Sequence, residues 1–307
     1  MTAMTRPAQP AMRAQSTASD AGVTVAERLQ LKLAELTPAE RKVARALMAE
    51  YPVRGLQPVA KLAAAAGVSA PTVVRLVSKL SFDSYAGFQR SLKSEVSARL
   101  SSPLAMHADR SAADGDALSR SEQLFCDGIR TSFARVPRAE FEQTVRLLAD
   151  QRRSVTLIGG RFSSMLADYL AAHLRVLRPE VHVISATGAD RTSTLLDIGR
   201  RDVLVAFDYR RYQHDTVRSA AMAKEQGATL IAFTDPYLSP LVAHADVILT
   251  SSVQSPSPFD ALTPALALVE AVIAALVDRF GDRPLARMAR YDALYAGMVG
   301  DSEAEEP

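Results

Sequence analysis

The chain has no tryptophan and one cysteine, Cys126, among its 307 residues, and aromatic residues make up only 6%. A lone cysteine excludes an intramolecular disulfide framework and any cysteine-rich metal site, so core packing is the role expected of Cys126. Long apolar runs are missing as well. The longest, from Ala261 to Val277, is broken by Pro264 and Glu270 and falls short of a membrane span, which predicts a soluble protein. Arg6 and Arg13 have no apolar segment behind them, so no secretory signal is expected, residues 1–21 read as a disordered tail, and the cytoplasm is the expected location. The remaining composition, 48% apolar and 23% charged, is that of an ordinary helix-rich globular protein with no call for a cofactor or a metal.

The length is too great for one ordinary compact domain and comfortable for two. The charge divides the same way. Residues 1–100 carry 14 Lys and Arg against 7 Asp and Glu, whereas the rest carries 22 against 27. A basic first part attracts polyanions and an acidic second part does not, although chance asymmetry gives the same split and local pattern must decide.

Residues 25–100 show helical apolar spacing and nothing that reads as a strand. Thr37-Pro38-Ala39-Glu40 is a capping box with proline at the first helical position. Val43, Ala44 and Leu47 share a face of that helix, and Tyr51-Pro52 ends it. A second helix begins near Pro58, with Val59, Leu62, Ala63 and Ala66 inward, and stops at Gly67. Ser69 then caps a third.

This is the spacing of a helix-turn-helix. Ala63 is small where two helices cross, Gly67 permits positive φ in a tight turn, and Val68, Val73 and Leu76 form a shared core. The outward positions of the third helix are expected to be Ser69, Ala70, Pro71, Thr72, Arg75, Ser78 and Lys79, short and polar first and basic later, which suits a major groove. A plain three-helix bundle would show the same Arg75 and Lys79 as a solvated face. Phe82, Tyr85 and Phe88 lead into a further helix and read as packing.

The run from Leu36 to Leu92, with LTPAERKVA, an AGVS turn, PTVVRLVSKL and a closing F-x-x-Y-x-x-F, resembles the N-terminal domain of the RpiR (MurR/RpiR) regulator family. The resemblance implies DNA binding through the third helix. Where the family usually has glycine, after that helix, this chain has Ser81.

From Ser101 the chain turns rich in Ser, Ala, Asp and Gly, and periodicity fades. The expected divisions are a tail at 1–21, a helix-turn-helix domain at 22–100, a linker at 101–117, a second domain at 118–285 and a C-terminal tail at 286–307. Five β-rich runs in the second domain (Ser154 to Ile158, Val181 to Ser185, Asp202 to Phe207, Thr229 to Phe233, Asp246 to Thr250) alternate with helical stretches. The expected fold is therefore an all-α helix-turn-helix domain followed by a five-stranded parallel sheet in an α/β/α sandwich.

Such sheets bind ligands at the carboxyl ends of their strands, where helix N-termini favour anions. The loop after the first strand offers Gly160, Arg161, Ser163 and Ser164, and the loop after the third offers Asp208, Arg210, Arg211 and Gln213. The glycine pair is no dinucleotide fingerprint, since G-x-G-x-x-G is absent. Two adjacent arginines at a strand end can hold a carboxylate or phosphate; they can equally be neutralised by Asp208, Asp215 or a neighbouring subunit.

IGGRFSS, VLVAF, AKEQGATLIAFTD and LSPLVAHADVIL together make residues 153–280 resemble the sugar isomerase (SIS) domain of the same family. That resemblance implies a phosphosugar loop of the form S-x-S-G-x-T after the third strand. Here Asp208 and Arg210 stand for the serines, Arg211 for the glycine and Gln213 for the threonine; Ser163 is retained in the first loop, and Arg161 replaces its second glycine.

The two resemblances imply a DNA-binding transcriptional regulator whose SIS-like domain senses a small anionic or sugar-derived metabolite and controls carbohydrate or related catabolic genes. Two other classes stay open: a sugar-phosphate isomerase, and a regulator whose second domain is only a dimerisation scaffold. An isomerase needs a positioned acid or base, and only His214 lies beside the candidate loop, with His173, His182 and His244 in helices or a strand. A non-enzyme is expected, without cofactor or metal. Its expected partners are a pseudo-palindromic double-stranded operator, a small effector and further copies of the chain as a homodimer or dimer of dimers, with no membrane.

Overall fold

A computed structural model of the chain describes residues 23–100, 116–184 and 188–303. The expected tail at 1–21 and nearly all of the expected linker lie outside these residues.

The helical part comprises α1 (Val25–Lys32), α2 (Pro38–Ala49), α3 (Val59–Ala66), α4 (Ala70–Lys79) and α5 (Tyr85–Leu100). The capping box forms as the sequence dictates: the Thr37 hydroxyl accepts from the Glu40 amide, and the Glu40 carboxylate accepts from the Thr37 amide at 2.8 Å. Gly67 closes α3 at φ 62°, a left-handed conformation that lets the chain turn by 101° into α4. Val43, Leu47, Leu62, Val73, Leu76, Phe88 and Leu92 fill the space between the helices. Phe82 and Tyr85 pack against Phe88 with ring centroids 5.7 and 5.5 Å apart, so this trio is core.

The second part begins at α6 (Ala117–Arg135), whose first amides bond to the Asp116 carboxylate, so the helix starts inside the expected linker. It continues as α7 (Arg138–Ala149), β1 (Ser154–Gly159), α8 (Ser164–Leu177), β2 (Val181–Val183), α9 (Gly188–Leu196), β3 (Asp202–Asp208), α10 (His214–Glu225), β4 (Thr229–Thr234), β5 (Val247–Thr250), α11 (Thr263–Phe280) and α12 (Leu285–Glu303). The expected second strand ran to Ser185; it ends at Val183, and Ser185 lies outside the described residues.

All strand pairs are parallel, in the order β2-β1-β3-β4-β5. Side chains alternate across the sheet. Val155, Leu157, Val205, Phe207 and Phe233 pack under α8 and α11, while Ile158, Leu204, Ala206 and Leu230 pack on α10, giving the three layers. The order reverses between β1 and β3, and their carboxyl ends open a crevice there.

Two further expectations change. Cys126 is exposed, because two helical residues turn the chain by about 200° and Gly128, on the opposite side of α6, is the one packed against Pro264. Residues assigned to a C-terminal tail form α12. Arg178, unremarked in the sequence, is fully buried and donates to the carbonyls of Leu148, Asp150, Arg153 and Pro179, tying the end of α8 to the end of α7.

The two parts touch. Thr24 donates from its hydroxyl to the Pro236 carbonyl at 2.9 Å, Arg135 of α6 pairs with the buried Glu27 of α1 at 2.8 Å, and Arg99 of α5 donates to the Leu238 carbonyl. Among the described residues no helix is long and apolar enough to cross a membrane.

Candidate functional site

Of the residues expected on the outer face of α4, Ser69, Pro71, Arg75 and Ser78 are exposed and Ala70 partly so. Thr72 and Lys79 are corrections. A helical turn of 100° per residue carries position 72 onto the side of Val73 and Leu76, so Thr72 is buried, its hydroxyl held between Ser69 Oγ at 3.1 Å and Arg75 Nη2 at 3.2 Å. Ser69 occupies the N-cap position, but its hydroxyl meets Thr72 and caps no amide.

Lys79 folds back onto the Glu40 carboxylate at 2.8 Å and the Glu35 carbonyl at 3.1 Å, which engages its ammonium with the domain's own acceptors at the surface. Val74, which the sequence reading passed over, is 44% exposed beside Arg75. The exposed face is thus a guanidinium that Thr72 steadies, an apolar spot able to meet a thymine methyl, and small hydroxyls. Arg41, Lys42 and Arg45 are exposed on α2, where a helix crossing the phosphate backbone would use them. Ser81 has φ 64°, so the left-handed turn after α4 is kept with serine in place of glycine.

The carboxyl ends of β1 and β3 border a cavity of 410 Å³. Gly160, Arg161, Ser163, Asp208, Arg210, Arg211 and Gln213 line it; Ser164 begins α8 and does not. A Cβ on Gly159 would overlap the Ser163–Ser164 backbone, so only glycine lets β1 turn this tightly into α8. The Ser163 hydroxyl, expected as a ligand donor, accepts from the Gly160 amide at 2.9 Å and donates to the Phe207 carbonyl at 2.7 Å.

Asp208 ends β3 almost wholly buried. Its carboxylate accepts from the Gln213 amide at 3.1 Å and from the Ser239 hydroxyl, yet burial outweighs these bonds and pushes its pKa up to about 7. Asp235, at the end of β4, accepts from Tyr212 Oη at 2.9 Å and the Tyr237 amide at 2.8 Å; its other oxygen has no hydrogen-bond partner, and burial raises its pKa to about 6.

The carboxylate the two arginines share is neither Asp208 nor Asp215. Asp260, between β5 and α11, receives Arg210 on one oxygen and Arg211 on the other at 2.8 Å. Asp215 faces Arg191 at 3.5 Å. Arg211 has φ 70°, again a left-handed turn without glycine. Phe162, Met165, Phe259 and Leu262 supply an apolar rim. The wall from Phe259 to Leu262 was missed because only the loops after the first and third strands were considered; the loop after β5 opens on the same edge of the sheet, and that rule was available.

The cavity loop also grips the helical domain. Arg210 Nη1 donates to the Ala98 carbonyl in the last turn of α5 at 3.4 Å, where helix carbonyls lack intrahelical partners. Arg99 lies over the Tyr212 ring at 5.1 Å.

The family model described as helix-turn-helix domain, rpiR family, matches residues 23–101, and the SIS domain model matches residues 147–275. The sugar isomerase domain of an RpiR transcription factor from Sphaerobacter thermophilus is similar at 23% identity and a TM-score of 0.55, over 57% of this chain and 98% of that one. The NanR protein of Vibrio vulnificus, in complex with ManNAc-6P, is similar at 18% identity and a TM-score of 0.52, over 90% of this chain and 99% of that one. No curated protein matches the chain.

Proposed function

The chain belongs to the RpiR type of helix-turn-helix regulator with a following SIS domain, and we propose that a small metabolite in the cavity between β1 and β3 controls how it binds an operator. The observation that carries this reading is the shared loop: Arg210 and Tyr212 follow the strand that floors the cavity and hold Ala98 and Arg99 at the end of α5. A ligand that moves this loop repositions α5, and with it α4. Only a ligand with different affinities for the two positions would shift DNA binding, and couplings of this kind amount to about 5- to 150-fold.

The reading is non-enzymatic. Among the described residues no histidine lines the cavity, and both oxygens of Asp208, a titratable group at its floor, are engaged. The operator is a pseudo-palindrome read by a homodimer or dimer of dimers, each copy placing one α4 in a major groove. The likeness to NanR in complex with ManNAc-6P is one of fold; the effector's class here rests on this chain's own residues.

The test is fluorescence anisotropy on DNA upstream of the gene and its neighbours, with metabolites first screened by thermal shift of the full-length protein. The wild type should bind one fragment specifically and change affinity with the ligand. The double variant Tyr212→Phe, Arg99→Gln should still bind ligand and DNA but lose the change. An unaltered DNA affinity in the ligand-saturated wild type would make the SIS domain a scaffold.

A further inference from the structure

The crevice between β1 and β3 has what an anion would look for. It has the N-cap amide of a twelve-residue helix, the amide of a glycine in a tight turn, a serine hydroxyl and two guanidiniums. The donors nearest Asp208 and Asp260 are engaged within the protein. The Gln213 amide donates to Asp208; the Gly160 amide goes to Ser163 Oγ and the Phe207 carbonyl, and the Ser163 hydroxyl goes to the same carbonyl. Arg210 and Arg211 share Asp260.

We propose that Asp208 and Asp260 are resident anions, standing where a ligand's phosphate or carboxylate would sit, so that the cavity takes a small uncharged hydroxylated ligand with an apolar face, an unphosphorylated sugar or polyol. This rests on the cavity being the effector site.

The position of Asp208 makes the exclusion specific. A Cβ placed on Gly160 would lie 3.6 Å from Asp208 Oδ1, so the carboxylate rests close against the bare backbone of the first loop, in the space a ligand's anionic group would need. The Ser239 hydroxyl fixes its other oxygen. Above neutral pH a dianionic phosphate entering here would face a buried carboxylate, and the Gln213 and Gly160 amides beside it are already engaged. Asp260, 8% exposed in its side chain, closes the guanidinium fork from the other wall. Arg161, the third arginine among the described residues of the lining, is exposed, lying over Phe162 at 5.4 Å, where water and salt screen it.

What stays open is apolar: Phe162, Met165 and Phe259 are each more than half exposed at the mouth, and Leu262 lies with them. Such a rim suits the C–H face of a sugar ring, and the cavity volume of 410 Å³ lies within the range of small-ligand sites.

Sulfate is the probe, since it stays a dianion throughout the neutral range. Calorimetric titration of the full-length protein at mildly alkaline pH should show no saturable sulfate binding in the wild type. Asp208→Asn, which keeps the shape and removes the charge, should bind it, and Asp208→Ser, which also vacates the space and supplies a hydroxyl, should bind roughly tenfold more tightly still. Thermal unfolding of each variant checks that it is folded, and the near-isosteric asparagine keeps the test valid if serine destabilises the loop. Sulfate binding by the wild type as tight as by the variants would overturn the proposal. So would the absence of binding from all three proteins, since Asp208 would then not be what excludes the anion. Neither result touches DNA binding by the wild type, whose failure would instead count against the regulatory reading.

Discussion

Asp208 and Asp235 are acids held in places that disfavour their charge, and the sign of the consequence is fixed. Both carboxyls are raised by burial, to about 7 and about 6, above the value of about 3.9 for an unfolded aspartate. Below the unfolded value both states are protonated. Between the two values the folded protein keeps protons that the unfolded chain has lost, so stability falls as pH rises and the loss is complete above about pH 7. Asp208→Asn should therefore stabilise the protein on the alkaline side, on the order of 1–3 kcal/mol at about pH 8 and much less at about pH 5. Thermal unfolding at the two pH values checks this; equal effects of the substitution at both would contradict it. Asp235 remains in the variant, so the slope flattens without vanishing.

Single residues were the least legible part of the sequence. That Asp208, Arg210, Arg211 and Gln213 share a cavity with Gly160, Arg161 and Ser163 follows from strand ends meeting at one edge of a parallel sheet, a rule that needs no coordinates. Which acid neutralises the arginines was not legible, because Asp260 lies 49 residues beyond Arg211 and only the folded chain brings them together. Lys79 shows the same limit: its spacing puts it on the outer rim of α4, and a tertiary partner, Glu40, draws it in.

Elements were read more reliably, because they rest on local chemistry. The capping box at Thr37, the left-handed Gly67 and the apolar strand runs each dictate a short piece of backbone without help from elsewhere. Helix α12 was misread as a tail because it lacks a strong capping signal and its apolar residues face outward. Leu285, Met288, Tyr291, Leu294, Tyr295 and Met298 are exposed along it, while Arg287 pins it to the Arg175 carbonyl of α8 at 2.8 Å. A continuous apolar stripe of this kind is seldom left to water. A second copy is the occupant that the two-fold operator reading requires, and α12 is the face proposed for it. Wild-type protein should sediment as a dimer or tetramer at micromolar concentration, and Leu294→Glu with Tyr295→Glu as a monomer. A wild-type monomer would refute the assembly, and an unaltered oligomer in the variant would place the interface elsewhere.

At the scale of the whole molecule, a basic helical domain is docked by Thr24, Arg99 and Ala98 onto the end of the sheet where the cavity opens, and by Glu27 onto α6. The sequence announced both domains but not their contact, since the docking residues have no local pattern in common. Regulation through this contact presupposes that the helical domain reads DNA, and α4 is where that is decided. Selection of binding sites from a random duplex library by the full-length protein, followed by affinity measurement at fixed salt for wild type and Arg75→Ala, addresses it directly. The account predicts one enriched, two-fold symmetric motif, with Arg75→Ala losing roughly 1–3 kcal/mol on that motif and little on unrelated DNA. No enriched motif, or equal affinity of the two proteins for it, would contradict the assignment of α4 as the recognition helix and the function built upon it.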